Sequence, residues 1–217
     1  MEAKVKTPVI VYAESTPNPS AMKFVANKML SENLTPLEFL NASDARSSPF
    51  ASELFKFPFV KSVFISGNYT TVFKSDTIEW DDVILELREF IRVYLGSGKA
   101  IIDASLSQST LNGGHAASPE ELAKSKENNA LGSASVEHTV PQGETEIKIV
   151  NVLEQYIRPA VEQDGGMIVF RSYKDGIVSL LMRGACSGCP SSTSTLKGGI
   201  EALLKKFVPE VKGVVSE

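Results

Sequence analysis

Residues 184–199 read GACSGCPSSTSTLKGG and hold Cys186 and Cys189, the two cysteines of a 217-residue chain. Two thiols separated by two residues can converge on one small soft centre: a metal ion, the irons of a cluster, or each other in a disulfide. Pro190 suits the first position of a helix, because its fixed φ fits there and its missing N–H is not needed. Cys189 then takes the N-cap. There it faces backbone N–H groups without helical partners and the positive end of the helix dipole, and both favour thiolate over thiol. Leu196, Ile200, Leu203, Leu204 and Phe207 fall on one face of this helix, with Lys197, Glu201, Lys205 and Lys206 opposite and Pro209 ending the run.

Immediately before the cysteine turn, MIVFRSY (167–173) and IVSLLMRG (177–184) are two strands joined by Lys174-Asp175-Gly176, a short hairpin turn. The second strand delivers the chain to Gly184, so the turn hangs between a strand end and a helix start. Further upstream, Ile147, Val150, Leu153, Ile157 and Val161 recur at helical spacing. Pro159 kinks or divides that helix, and Asp164-Gly165-Gly166 stops it. With VKGVVS (211–216) as a third strand, residues 143–217 form an α-β-β-α-β domain.

Residues 99–142 have few large apolar side chains beyond Ala100–Ala104 and cannot bury enough surface to offset the entropy of ordering, so they read as a flexible linker. Residues 1–98 carry a second pattern. PVIVYAE (8–14) and MKFVANK (22–28) are strands around the turn STPNPS, and VKSVFIS (60–66) and YTTVFKS (69–75) form a hairpin about Gly67-Asn68. Residues 31–48 follow no clean period, although Leu34, Leu37, Phe39 and Leu40 must find a core. Ser48-Pro49 opens a short helix over PFASELFKF. A longer helix runs from about Trp80 with Ile84, Leu87, Ile91, Tyr94 and Leu95 on its apolar face, ending at Gly96 or Gly98. The fold class is α+β: two small α/β domains joined by a flexible linker.

A net charge of −4 with no basic run argues against nucleic acid as a partner. No apolar run approaches the roughly 20 residues of a membrane helix, so no membrane partner is expected. The first residues, MEAKVKTPVIVYAEST, have neither a signal-peptide apolar region nor transit-peptide composition, and the location they suggest is cytoplasmic. In a reducing compartment a C-x-x-C pair binds metal or does redox chemistry more often than it staples a fold.

Structural zinc and the common iron–sulfur clusters take four protein ligands. One chain offers two cysteines, and His115 and His138 lie in the polar, Gly/Ser-rich stretch, where neither is expected to be a ligand. Two chains each contributing Cys186 and Cys189 complete the set at a symmetric interface, which makes a homodimer the expected assembly. Such a shared centre is released when the subunits part or another thiol pair competes, as suits a carrier.

The runs RPAVEQDGG (158–166), GACSGCPSSTSTLKGGIEALL (184–204) and FVPEV (207–211) resemble the C-terminal domain of Nfu/NifU-type iron–sulfur cluster scaffold proteins. STPNPSAMKFV (15–25), SPFASELFKFPFVKSVFI (48–65) and the helix near Trp80 resemble the N-terminal domain of the same family. The resemblance implies that Cys186 and Cys189 of two chains bind a [4Fe-4S] cluster, with [2Fe-2S] or zinc less favoured. It implies transfer of the cluster to apo iron–sulfur proteins, exchange with the assembly machinery and no enzymatic activity. Met167 departs from the family's pattern, which has an acidic residue after the two glycines. Two rivals stand beside this reading. A thiol–disulfide oxidoreductase also places C-x-x-C at a helix start, although here a hairpin precedes the motif and the proline follows it. A zinc-bridged structural dimer would use the same four thiolates.

Overall fold

Side chains alternate across a strand, so each strand has two faces to bury or expose, and in this chain both faces of the central strands are covered. The computed structural model describes residues 8–31, 36–103, 139–187 and 190–216, apart from the side chains of 190–193. In the N-terminal unit, β1 (Val11–Ser15), β2 (Ala21–Ala26), β3 (Leu37–Phe39), β4 (Val60–Ser66) and β5 (Tyr69–Lys74) form an antiparallel sheet in the order β1-β2-β5-β4-β3. The β4–β5 hairpin turns at Gly67, whose φ of 50° lies in the left-handed region. The stretch without a clean period contains β3 and a 3-10 turn, Asp44–Ser47, while Leu34 lies outside the described residues. Elements so short cannot show a period in sequence.

Helix α1 (Pro49–Leu54) is capped as expected, with the Ala51 N–H donating to Ser48 Oγ at 3.1 Å. Helix α2 (Trp80–Ser97) ends on Gly98 at φ 75°. It buries Val83, Leu87, Ile91, Tyr94 and Leu95, leaving Ile84 only partly buried. Both helices cover one face of the sheet, where Met22, Phe24, Val63, Ile65 and Val72 meet Phe50, Leu54, Leu87 and Ile91.

The C-terminal unit has the expected α-β-β-α-β order. Helices α3 (Glu144–Val152) and α4 (Arg158–Gln163) are separated by a π-helical segment, Leu153–Ile157. Pro159 explains the division: its ring has no N–H for the preceding turn and clashes with it, and the wider π turn makes room. Strands β6 (Gly166–Lys174) and β7 (Ile177–Gly184) are antiparallel around Asp175 (φ 54°) and Gly176 (φ 88°), both left-handed as a two-residue hairpin turn requires. Helix α5 (Pro190–Phe207) leads to β8 (Gly213–Ser216), which pairs with β7 in parallel. Ile168, Phe170, Val178, Leu180 and Met182 on one face of this sheet pack on Leu153, Val161, Ile200 and Leu204. Phe207, assigned to the apolar face from its spacing, is instead 42% exposed and stacks on Tyr156 with ring centroids 4.9 Å apart.

The remaining faces of the two sheets meet each other. Val25, Phe64 and Tyr69 from β2, β4 and β5 bury against Met167 and Val169 of β6, with Phe73 and Leu181 packed alongside. Layers therefore run helices, sheet, sheet, helices. Most of the stretch read as a linker, residues 104–138, lies outside the described residues. Its described ends are tied to the units: Asp103 N–H donates to Ser47 O at 2.8 Å and Thr139 N–H to Phe170 O at 2.9 Å.

Candidate functional site

Strand β7 ends at Gly184, and Ala185-Cys186-Ser187 turn the chain towards α5. The turn needs its glycines. Gly184 has φ 63°, and a Cβ there would lie 2.8 Å from Gly165 O and 3.0 Å from a Phe64 ring carbon. At Gly166 a Cβ would collide with Cys186 Sγ and lie 2.9 Å from Arg183 O. Ser187 closes the bend, its N–H and its Oγ both donating to Gly184 O, at 2.9 and 2.8 Å.

Cys186 is therefore not an exposed ligand in this arrangement. It is 6% exposed and packs with the C-terminal core. Burial pushes its thiol up to about 12, with the Asp164 carboxylate adding to the shift. Burial thus favours the neutral thiol at Cys186, whereas the helix-start argument for a thiolate concerned Cys189 at the N-cap. Cys189, the other predicted ligand, lies outside the described residues with Gly188, as do His115 and His138. Among the described residues no group of three or more His, Cys, Asp or Glu side chains is placed to hold a metal ion. Lys197 is half-buried on α5, where its charge helps hold the Glu201 carboxyl below its ordinary value, behind hydrogen bonds from Lys205 and from the Val214 N–H.

The residues missed from sequence belong to the N-terminal unit. Asn18, in the STPNPS turn, is 5% exposed and donates from Nδ2 to Ala185 O at 3.4 Å. The turn that aims it is fixed by Thr16 Oγ1, which donates to Asn18 O at 2.9 Å, and by Trp80 Nε1, which donates to Pro19 O at 2.9 Å. Glu38 Oε1 accepts from the Gly184 N–H at 3.1 Å. Tyr69 OH donates to Gly166 O at 3.2 Å and Thr71 Oγ1 to Gly165 O at 2.8 Å. Lys23, 8% exposed, donates to Gln163 O at 3.2 Å, pairs with Glu14 at 3.1 Å and lies 4.8 Å from the centre of the Tyr69 ring. The signal available in sequence was Met167, an apolar residue where the resemblance places an acid. Its side chain is 3% exposed between the two sheets, where a carboxylate would be desolvated.

One reason for setting aside the oxidoreductase rival does not hold. A hairpin does precede the motif, but β7, α5 and β8 also form a parallel β-α-β unit with the cysteine turn at its strand-to-helix junction. The other reason stands: the proline, Pro190, follows the motif.

Two protein families match the chain: the NifU-like domain over residues 149–215 and the scaffold protein Nfu/NifU N terminal over residues 11–98. The mitochondrial NFU1 iron-sulfur cluster scaffold homolog of Drosophila sechellia is 31% identical over 99% of this chain and 67% of its own length. The mitochondrial NifU-like protein 4 of Arabidopsis thaliana is 36% identical over 96% of this chain and 66% of its own. Among solved structures, a NifU-like protein from Saccharomyces cerevisiae aligns with 48% of this chain and 93% of its own at 20% identity and a TM-score of 0.41. The chain spans about two thirds of the length of the curated relatives it matches. These relatives overturn the cytoplasmic expectation: they are named mitochondrial and point to that compartment. The expectation rested on the composition of the first residues of a sequence that covers only part of its relatives, which is no basis for assigning a compartment.

Proposed function

From the chain's membership of the Nfu/NifU family of iron–sulfur cluster scaffold proteins, we propose that it binds an iron–sulfur cluster as cargo through Cys186 and Cys189 and hands it to apo-proteins. The observation that carries this reading is the C-x-x-C turn at the junction of β7 and α5, inside the segment that matches the NifU-like domain. The functional boundaries are those read from sequence: residues 1–98, a linker over 99–142, and the cluster-binding residues 143–217. Two cysteines per chain and four ligands per cluster make a homodimer holding one [4Fe-4S] between its subunits the simplest assembly. No enzymatic step is involved. In transfer, a client thiolate forms a bond to iron as a carrier thiolate leaves; the cluster's oxidation state is unchanged and the departing sulfur takes up a proton. The machinery that supplies the cluster and the apo-proteins that receive it are the expected partners.

Anaerobic reconstitution with iron and sulfide tests the reading. Brown absorption with about two irons and two sulfides per chain, in a species of twice the chain mass, is the expected result. Cys186→Ala and Cys189→Ala should each abolish cluster retention; full occupancy in either variant refutes the assignment. A colourless zinc-bound dimer would favour the structural rival.

A further inference from the structure

The contacts between the two units are concentrated at the cysteine turn. The side chains of Lys23, Thr71, Tyr69, Glu38 and Asn18 engage main-chain atoms of Gln163, Gly165, Gly166, Gly184 and Ala185. Those five residues lie where the α4–β6 junction meets the end of β7, beside Cys186. Hydrogen bonds to backbone recognise a loop by its shape, so this sheet face fits one conformation of the turn, with glycines where a Cβ would clash. Gly165, at φ 78°, shows how close the fit is: a Cβ there would lie 2.9 Å from Thr71 Oγ1 and 3.3 Å from Lys23 Cβ. Beneath these bonds, Val25, Phe64 and Tyr69 hold Met167 and Val169 out of water. In that conformation Cys186 Sγ lies against Gly166, packed with the C-terminal core, and the residue is 6% exposed.

We propose that the N-terminal unit is a cap for the cysteine turn of its own chain, holding Cys186 as a buried thiol, and that cargo enters or leaves only when the two sheets part. The inference rests on the reading of Cys186 as a cluster ligand. It gives the N-terminal unit a specific partner, the glycine-flanked cysteine turn, and a specific act, closing an unloaded site against stray metals and oxidants. Strand alternation makes the contact separable from the folding of either unit. Val25 faces the C-terminal unit while Met22, Phe24 and Ala26 on the same strand face the helices; Met167 and Val169 face the N-terminal unit while Ile168 and Phe170 face theirs.

The test uses the full-length, metal-free chain carrying Cys189→Ser, so that Cys186 is its sole cysteine, and measures the rate of N-ethylmaleimide addition by mass. The capped chain should react at least about tenfold more slowly than the same chain in denaturant. Met167→Glu and Val25→Asp, which place a charge in the contact from opposite sides, should each raise the rate at least about tenfold with circular dichroism and cooperative melting retained. If either substitution unfolds its own unit, the other supplies the comparison, and the parent's rate against denaturant remains a separate check. A parent rate equal to that in denaturant, or a folded variant within twofold of the parent, overturns the cap. No cluster is needed for this readout. A chain that opens on mutation yet never retains iron and sulfide would keep the cap and sink the carrier reading; unchanged alkylation with normal loading would do the opposite.

Discussion

Each sheet has a face turned to helices and a face turned to the other sheet, and the two kinds of face are built differently. The helix-covered faces carry Phe24, Val63, Ile65 and Val72 in one unit and Ile168, Phe170, Leu180 and Met182 in the other, a nearly unbroken aliphatic and aromatic packing. The facing surfaces mix a small apolar centre with Lys23, Thr71, Tyr69 and Glu38, whose polar atoms are bonded across the contact. A face of the first kind has no alternative to burial, because exposing it costs about 25 cal/mol for each Å² of apolar surface. The second kind can be wetted at lower cost, since its polar groups exchange protein partners for water, as is usual where domains of one chain move apart.

Substitutions can break that comparison or sharpen it. Phe170→Ala, in the helix-covered core of the C-terminal unit, should cost about 3–5 kcal/mol and abolish cooperative folding of that unit in a thermal melt. A loss of less than about 1 kcal/mol would mean that the two kinds of face are not energetically distinct. Gly184→Ala is next, at about 1–3 kcal/mol, because φ 63° is strained for any side chain and the added carbon meets Gly165 O. Denaturant titration should show the loss. Thr71→Val removes one of two bonds to Gly165 O, which keeps that from the Ala185 N–H, for about 1 kcal/mol. Its signature should be faster amide exchange in β6 and β7 near the contact, with slow exchange in the helix-covered cores unchanged.

The smallest effect concerns Glu162, whose carboxyl is held above its ordinary value by burial, with the nearby Glu154 carboxylate adding and Arg158 and Lys23 opposing. A raised folded-state value means that the fold prefers the protonated form. Stability is then greatest below the unfolded carboxyl range and declines as pH rises through the folded value. Glu162→Gln should accordingly be slightly more stable than the parent at neutral pH, and the difference should vanish near pH 3 in paired melts. A difference that grows on acidification would contradict the burial.

Local chemistry made much of each unit legible. Asp175-Gly176 could only be a tight hairpin turn, Ser48-Pro49 a helix start, Pro190 the first residue of α5, and Pro159 an interruption of regular helix. The same period that identified α5 also misplaced Phe207, because spacing gives a face and not its neighbours; the ring lies at the edge of that face, against Tyr156.

What the sequence by itself determined is the pair of folds, the position of the cysteine turn between a strand and a helix, and the count of two cysteines per chain. Each follows from interactions within a few residues, or from counting. Only the tertiary structure decided that the second faces of the sheets cover one another, that Asn18, Glu38 and Tyr69 reach a turn more than 90 residues away in the chain, and that Cys186 is a buried thiol. A period of two says which side chains share a face, but what that face meets depends on surfaces brought together across long separations. A helix start reads from local sequence, whereas the desolvation at Cys186 depends on what is packed around the sulfur.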